Sequence, residues 1–198
     1  MQRPNEENRR QIIAVATRLF ATRRYHEVRL EDVAKAAKIG KGTIYVYFKS
    51  KDDLFLTLVR EGFARLVTSI ETEMQAPDRS SWERLTLIVD GFVAFATRFP
   101  HLFELLRSGV LPADDPALQS SRRALSRLIE RNIRQGVRAG EFRDPRPKLT
   151  AQYVVAFVRG AMLYGPPVGR STLRAHLLRI VGHGILVRPR RGAAGGAA

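Results

Sequence analysis

The side chains whose types and spacing suggest chemistry lie between positions 41 and 51: Lys41, Gly42, Thr43, Tyr45, Val46, Tyr47, Lys49 and Lys51. Cationic, hydroxyl and aromatic groups crowded on a short exposed segment suit recognition of a phosphate-lined groove. Catalytic chemistry finds no comparable support. No nucleophile–base pairing emerges from the spacing. Gly40-Lys41-Gly42-Thr43 has the look of a nucleotide loop, but that motif needs Gly-Lys followed directly by Ser or Thr, after a strand. His101 and Glu104 could share one helix face, yet two ligands do not make a metal site. His176 and His183 stand on the last helix, a spacing that suits a solvated or interface face. With no cysteine, disulfides, thiolate catalysis and Cys-based zinc sites are all excluded. No cofactor, no metal and no enzyme activity are expected.

The elements that must position those groups are short. Leu30, Val33, Ala34 and Ala37 recur at helical spacing and give one helix a buried face. Ile39 and Gly40 interrupt it, and a second short helix follows from Thr43 to Phe48, anchored inward by Ile44 and Phe48. Lys41, Thr43, Tyr45, Val46 and Tyr47 remain for its outer face. Two short helices around a glycine-bearing turn, followed by a long helix, form the layout of a helix-turn-helix DNA reader.

Helical signals continue through the chain, and the fold class expected is all-α with about nine helices. Asn5 can cap a first helix with Ile12, Ile13, Ala16, Leu19 and Phe20 on one side. Ser50 with Asp53, and Ser80 with Glu83, are capping-box patterns opening two further helices. The first of these runs to about Met74 and carries a stripe from Leu54 to Ile70. Pro100 opens a short helix; Asp115-Pro116 opens one that stops at Gly140. The Asp144–Pro147 break precedes a helix to Tyr164, and Ser171 or Thr172 caps the last. The domain reading is 1–50 for the DNA-binding part, 51–187 for a helical ligand-binding and dimerisation part with its connecting helix at about 51–74, and a low-complexity, disordered tail at 188–198.

A net charge of +15 and a pI near 11.2 over 198 residues favour an anionic partner, although Arg is spread along the whole chain. The first residues lack an apolar core and read as no signal peptide, and no apolar run is long enough to span a bilayer. The compartment expected is cytoplasmic, with no membrane partner.

The run Lys41-Gly42-Thr43-Ile44-Tyr45-Val46-Tyr47-Phe48-Lys49-Ser50-Lys51-Asp52-Asp53-Leu54-Phe55 resembles the signature of the TetR family of bacterial transcriptional regulators. The resemblance covers the first quarter to third of the chain; beyond it only length and helical layout agree. It implies that the second motif helix lies in the major groove, with Lys41 and Gly42 near base edges and Thr43 on base or phosphate. It further implies Tyr45, Tyr47 and Lys51 on phosphates, and leaves Val46 for a thymine methyl and Lys49 for an extra phosphate. The chain departs from the family pattern in three places. Val28-Arg29-Leu30 lacks the usual capping hydroxyl, so that Arg29 takes the phosphate contact. Lys38 stands at the motif turn where Gly is common, and must adopt a strained backbone or shift the turn. Arg24 stands before Tyr25 where Gly is also common.

For the remainder, the resemblance implies a pocket between the connecting helix and those after it, lined by Phe63, Val67, Trp82, Phe92, Phe95, Phe103, Phe157 and Met162. Asp90, Glu104 and Arg159 are the polar groups available to orient a small apolar or amphipathic effector. It also implies a homodimer through the last two helices, with Val155, Val158, Met162, Leu173, Leu177, Ile180, Val181 and Ile185 at the interface. The functional expectation is a repressor that binds a palindromic operator in double-stranded DNA and is released by its effector. A non-sequence-specific basic DNA binder, or an all-α carrier or enzyme, are the alternatives.

Overall fold

The computed structural model describes residues 5–112, 114–165 and 168–186, apart from the side chains at 100, 104 and 107. The 188–198 tail and the Glu104 side chain therefore lie outside the described residues. Among the described residues nine α-helices follow in order: α1 Glu6–Thr22, α2 Leu30–Ala36, α3 Lys41–Tyr47, α4 Lys51–Glu73, α5 Ser81–Arg98, α6 Pro100–Arg107, α7 Pro116–Arg138, α8 Pro147–Tyr164 and α9 Arg170–Ile185. A 3₁₀ turn at Tyr25–Glu27, absent from the sequence reading, joins α1 to α2. Among the described residues no strand forms; one isolated bridge pairs Phe142 with Leu186. The all-α expectation holds.

The helix boundaries follow local chemistry. Asn5 caps α1 by accepting from the Glu7 N–H at 2.8 Å. Ser80 and Glu83 form the reciprocal box that opens α5. At α4 the box is displaced by one residue: Ser50 Oγ accepts from the Asp53 N–H, while the Asp53 carboxylate accepts from Lys49. Asp115 caps α7 through the Leu118 N–H at 2.9 Å, with Pro116 in the first turn, and Gly140 ends the helix region at φ 75°. The last helix departs from expectation. It begins at Arg170 behind Gly169, and neither Ser171 nor Thr172 caps it.

Helices α1 to α3 wrap the first half of α4. Ile12, Ala16 and Phe20 of α1, Val33 of α2 and Ile44 of α3 bury against Leu54, Phe55 and Leu58. The second half of α4 packs with α5 and α7, so one 23-residue helix belongs to both cores. A chain of ring contacts runs along it. Tyr25 meets Phe55 at 5.2 Å, Phe55 meets Phe99 at 6.4 Å, Phe99 meets Phe95 at 5.2 Å and Phe95 meets Phe63 at 4.9 Å. Further out, Glu141 accepts from the Ser81 and Trp82 N–H groups, satisfying orphan donors at the start of α5. Buried Asn132 donates to the Ser81 carbonyl at 2.8 Å.

Candidate nucleic-acid interface and sensor cavity

Helix α3 is held by two anchors, fully buried Ile44 and buried Phe48 just beyond its end. Anchoring on that side turns Lys41, Gly42, Tyr45 and Val46 to the exterior, with Tyr45 47% and Val46 52% exposed. Thr43 and Tyr47 are half-buried, and Lys49 and Arg29 are exposed. Nothing stands within 4 Å of a Cβ built on Gly42, so the approach to this helix start is open. The turn ahead of α3 takes the strained course: Lys38 adopts φ 54°, the left-handed region where Gly is ordinarily used. Arg29 precedes α2 without side-chain capping, and its N–H donates to the Asp32 carboxylate at 3.1 Å.

Several groups expected on phosphate are engaged within the chain. Glu31, which the sequence reading passed over, accepts from Tyr45 Oη at 3.2 Å and faces Lys41 Nζ at 3.1 Å. Those contacts help lower its carboxyl below the usual range, after its own backbone N–H, the largest contribution. An acidic residue one helix earlier carries no motif signal; only the packing of α2 against α3 brings it there. The Tyr47 hydroxyl accepts from the Asn5 N–H at 2.6 Å and donates to the Asn5 carbonyl at 3.1 Å, fastening α3 to the start of α1. Lys51 Nζ donates to the Tyr25 carbonyl at 3.0 Å and sits 4.3 Å from the centre of its ring. Tyr25 in turn donates to Asp52, and burial followed by that carboxylate pushes its phenol above the usual range.

In the second half of the molecule, Phe63, Phe92, Phe95, Phe103 and Arg159 come together around an inner cavity of about 40 Å³. Val59, Leu102, Leu106, Leu118, Arg122 and Val155 complete its wall. Five of the expected lining residues are therefore neighbours. The others are not. Trp82 lies between α5 and α9 against Gly182, because a helical glycine opens the slot its indole fills. Asp90 pairs with Arg174 of α9, and Phe157 faces His176 at 6.0 Å between ring centres. Val67 is buried and Met162 partly buried, both off the cavity wall. A wider cleft of about 770 Å³ opens between α1, α4 and α5, floored by apolar groups such as Leu66 and Phe99 and ringed by Arg9, Arg10, Arg18, Arg65 and Arg98. Four helices, α4, α5, α7 and α8, and the α6 segment contribute the wall of the aromatic cavity.

The expected dimer residues need correction. Val155, Val158, Leu173, Leu177, Val181 and Ile185 are buried within their own chain, under α5, α6 and α7, so a second copy cannot reach them. Met162 is partly buried, and Ile180 alone of that set is exposed, at 47%. Helix α8 has two apolar stripes, and periodicity cannot tell which one the monomer uses. The outward stripe carries Tyr153 at 63% exposure and Tyr164 at 81%, with Gly160 between them.

Between Val59 and Phe63 of α4, Arg60 reaches out of the cavity wall to Asp115, the capping residue of α7. Asp115 is buried, and Arg60 holds its carboxyl below the usual carboxylate range. The helix that carries Lys51 at one end is thus tied to α7 beside the cavity at its middle.

Comparison with known proteins agrees with this architecture. The model of bacterial regulatory proteins of the tetR family matches residues 12–58, and a tetracyclin repressor-like C-terminal domain matches residues 78–173. The HTH-type transcriptional regulator HbdR of Aromatoleum sp. (strain CIB) is 30% identical over 77% of this chain and 67% of its own length. The fatty acid metabolism regulator protein of Bacillus subtilis (strain 168) is 32% identical over 79 residues, 40% of either chain, so the match spans less than half of that relative. Among solved structures, a putative transcriptional regulator from Saccharomonospora viridis in complex with choline superposes with a TM-score of 0.76 at 24% identity, over 93% of this chain and 100% of that one. No helix among the described residues is long and apolar enough to cross a membrane. A helix-turn-helix whose outer face is basic and phenolic, continued by a helix shared with an aromatic core, places this chain in the TetR family of transcriptional regulators.

Proposed function

We propose that the protein is a cytoplasmic, effector-released repressor that binds a palindromic operator as a homodimer, residues 1–50 reading DNA and 51–187 sensing and dimerising. The observation that carries this reading is the double membership of α4. Lys51 and Ser50 set its first turn beside α3, and Val59 and Phe63 further along it form cavity wall. A rigid helix with one end at the DNA and its middle on a sensor site converts local displacement into a change of groove spacing.

The cavity's size favours such coupling. At about 40 Å³ it has room for a water or two, far short of the ~300 Å³ or more of ordinary ligand sites. An effector must part the aromatic wall, and only a ligand with different affinity for the two states can shift their balance. The fold neighbour in complex with choline supports small-molecule binding on this architecture. For the dimer, the outward stripe of Tyr153, Gly160, Tyr164 and Ile180 offers apolar surface, with a glycine that allows close helix approach.

The test is DNA binding against salt and competitor, using the protein's own upstream region and the genome-derived fragments it retains. Retention of a palindromic fragment in excess competitor, lost in Lys41→Ala plus Tyr45→Ala, is the expected result. Equal displacement by any DNA at every salt concentration would instead support the charge-driven reading that the +15 net charge favours. Tyr164→Glu with Ile180→Glu should yield a monomer by sedimentation; an unchanged dimer would move the interface elsewhere.

A further inference from the structure

The wide cleft between α1, α4 and α5 has the size that the inner cavity lacks: about 770 Å³, within the ~300–1,000 Å³ of ordinary small-molecule sites. Its hollow comes from small residues on all three helices, Ala14 on α1, Gly62 on α4, and Gly91 and Ala94 on α5. A Cβ on Gly62 would stand 3.3 Å from the Phe95 ring, and one on Gly91 would stand 2.9 Å from Leu66. Those two side chains therefore settle over the glycines and form an apolar floor. Around it stand Arg9, Arg10, Arg18, Arg65 and Arg98 against a single carboxylate, Glu61. The five arginines are not equivalent. Glu61 pairs with both Arg9 and Arg65, and Arg10 pairs with Glu7. Arg18 and Arg98 make no ion pair among the described residues. They also share one end of the cleft: Arg18 comes just before Phe20 and Arg98 just before Phe99, and both rings meet Phe55 of α4, at 5.0 and 6.4 Å. Two unpaired cations at the end of a concave apolar surface focus their field on whatever enters it. The cleft follows α4 from Glu61 to Ser69, about 15 to 27 Å along the axis from Lys51, which sets it apart from the outer face of α3.

We infer that this cleft is a second ligand site that takes a hydrophobic anion, its carboxylate or phosphate head held by Arg18 and Arg98 and its apolar body resting on Leu66, Ala94 and Phe95. A guanidinium fork matches either head in two parallel hydrogen bonds, which a neutral hydroxyl cannot accept in the same way. The floor contributes affinity through apolar area, and the unpaired end of the rim selects for negative charge. The two arginines come from different halves of the molecule. Arg18 belongs to α1, which packs with α2, and Arg98 to α5, which packs with α7 and α9. A head shared between them ties the two halves together across α4. Among the described residues Phe95 alone lines both this cleft and the inner aromatic cavity. The two are thus distinct hollows with one wall in common, and occupancy of the cleft does not require the inner cavity to be a sensor.

Four probes separate head from body: 2-naphthyl phosphate, 2-naphthoate, 2-naphthol and inorganic phosphate, titrated into the full-length protein without DNA by calorimetry at physiological ionic strength. The better of the two naphthyl anions should bind about ten-fold or more tightly than 2-naphthol and than inorganic phosphate, because head and body are both engaged. Comparison of the two anions reports which head the rim prefers. Arg18→Met with Arg98→Met should bring the preferred anion down to the level of 2-naphthol. Lys at both positions, which keeps charge but not the fork, should lie between. Arg10→Met with Arg65→Met removes the same charge from the paired end and should weaken binding by less than about three-fold. All four side chains are exposed, so these variants should fold, which circular dichroism checks; if a double variant does not, its single replacements supply the comparison. Binding of 2-naphthol or of inorganic phosphate as tight as that of both naphthyl anions overturns the inference. So does anion binding that survives loss of Arg18 and Arg98, or that falls equally with Arg10 and Arg65. Binding of none of the four overturns it as well, and each of these outcomes leaves the DNA-binding reading standing.

Discussion

The tie between Arg60 and Asp115 permits a quantitative test of how α4 is held to α7. Asp115 does two jobs, capping α7 and pairing with Arg60, and two substitutions separate them. Asp115→Asn keeps a side-chain oxygen for the cap and removes the charge. Charge-assisted hydrogen bonds contribute about 1.5–3 kcal/mol. The Arg60 side chain is 38% exposed, so solvent screening brings the expected loss down to about 1–2 kcal/mol. Asp115→Ala also deletes the cap, adding about 1 kcal/mol. For a chain of this size each kcal/mol moves the melting temperature by about 2–4 °C. Urea unfolding followed by circular dichroism at a fixed protein concentration measures both, and Arg60→Met closes a double-mutant cycle. Sign follows from linkage: the folded carboxyl is held below its unfolded value of about 3.9, so the pair's contribution is full above that pH and fades as pH falls through the lower folded value. The gap between wild type and Asp115→Asn should therefore narrow in acid. A gap that is unchanged in acid, or a coupling below about 0.5 kcal/mol in the cycle, would refute the tie as a source of stability.

Three further outcomes are expected. Gly136→Ala would ordinarily add about 1 kcal/mol to a helix interior. Here the new Cβ would stand 2.3 Å from Phe142 Cδ2, and overpacking of that kind costs about 1–3 kcal/mol, so the urea midpoint should fall; a rise would show that Phe142 yields freely. Lys38→Gly relieves a left-handed residue that costs about 1–2 kcal/mol, partly offset by glycine's extra freedom when unfolded, for a net gain of up to about 1 kcal/mol in thermal unfolding. Glu31→Gln releases Lys41 and Tyr45 and should tighten DNA binding by up to about five-fold at low salt, an exposed pair being worth about 0–1 kcal/mol. Unchanged affinity in a mobility-shift titration would mean that Glu31 does not compete with phosphate.

Much of this was legible in the sequence because local rules dominate. Helix starts at Asn5, Ser50, Ser80 and Asp115 rest on side-chain-to-backbone bonds spanning two or three residues, and the stop at Gly140 on one backbone angle. Ile44 and Phe48 were readable as anchors, which in turn defined the outer face of α3. The missing glycine at the motif turn left two outcomes, a strained Lys38 or a shifted turn, and the structure takes the first. What the sequence could not determine is which of two apolar stripes a helix turns inward, since periodicity is blind to the neighbour. That is why the stripe from Val155 to Ile185 belongs to the monomer core, leaving Tyr153 and Tyr164 outside. Nor could it bring together residues from distant segments: Glu31 with Lys41 and Tyr45, Arg60 with Asp115, or Arg122 with Arg159 among four phenylalanines. Those juxtapositions are long-range, set by helix crossing rather than by residue spacing. The family and the outer face of α3 were thus determined by local sequence, while the inward faces of the later helices and the pairing of distant side chains were decided by tertiary packing.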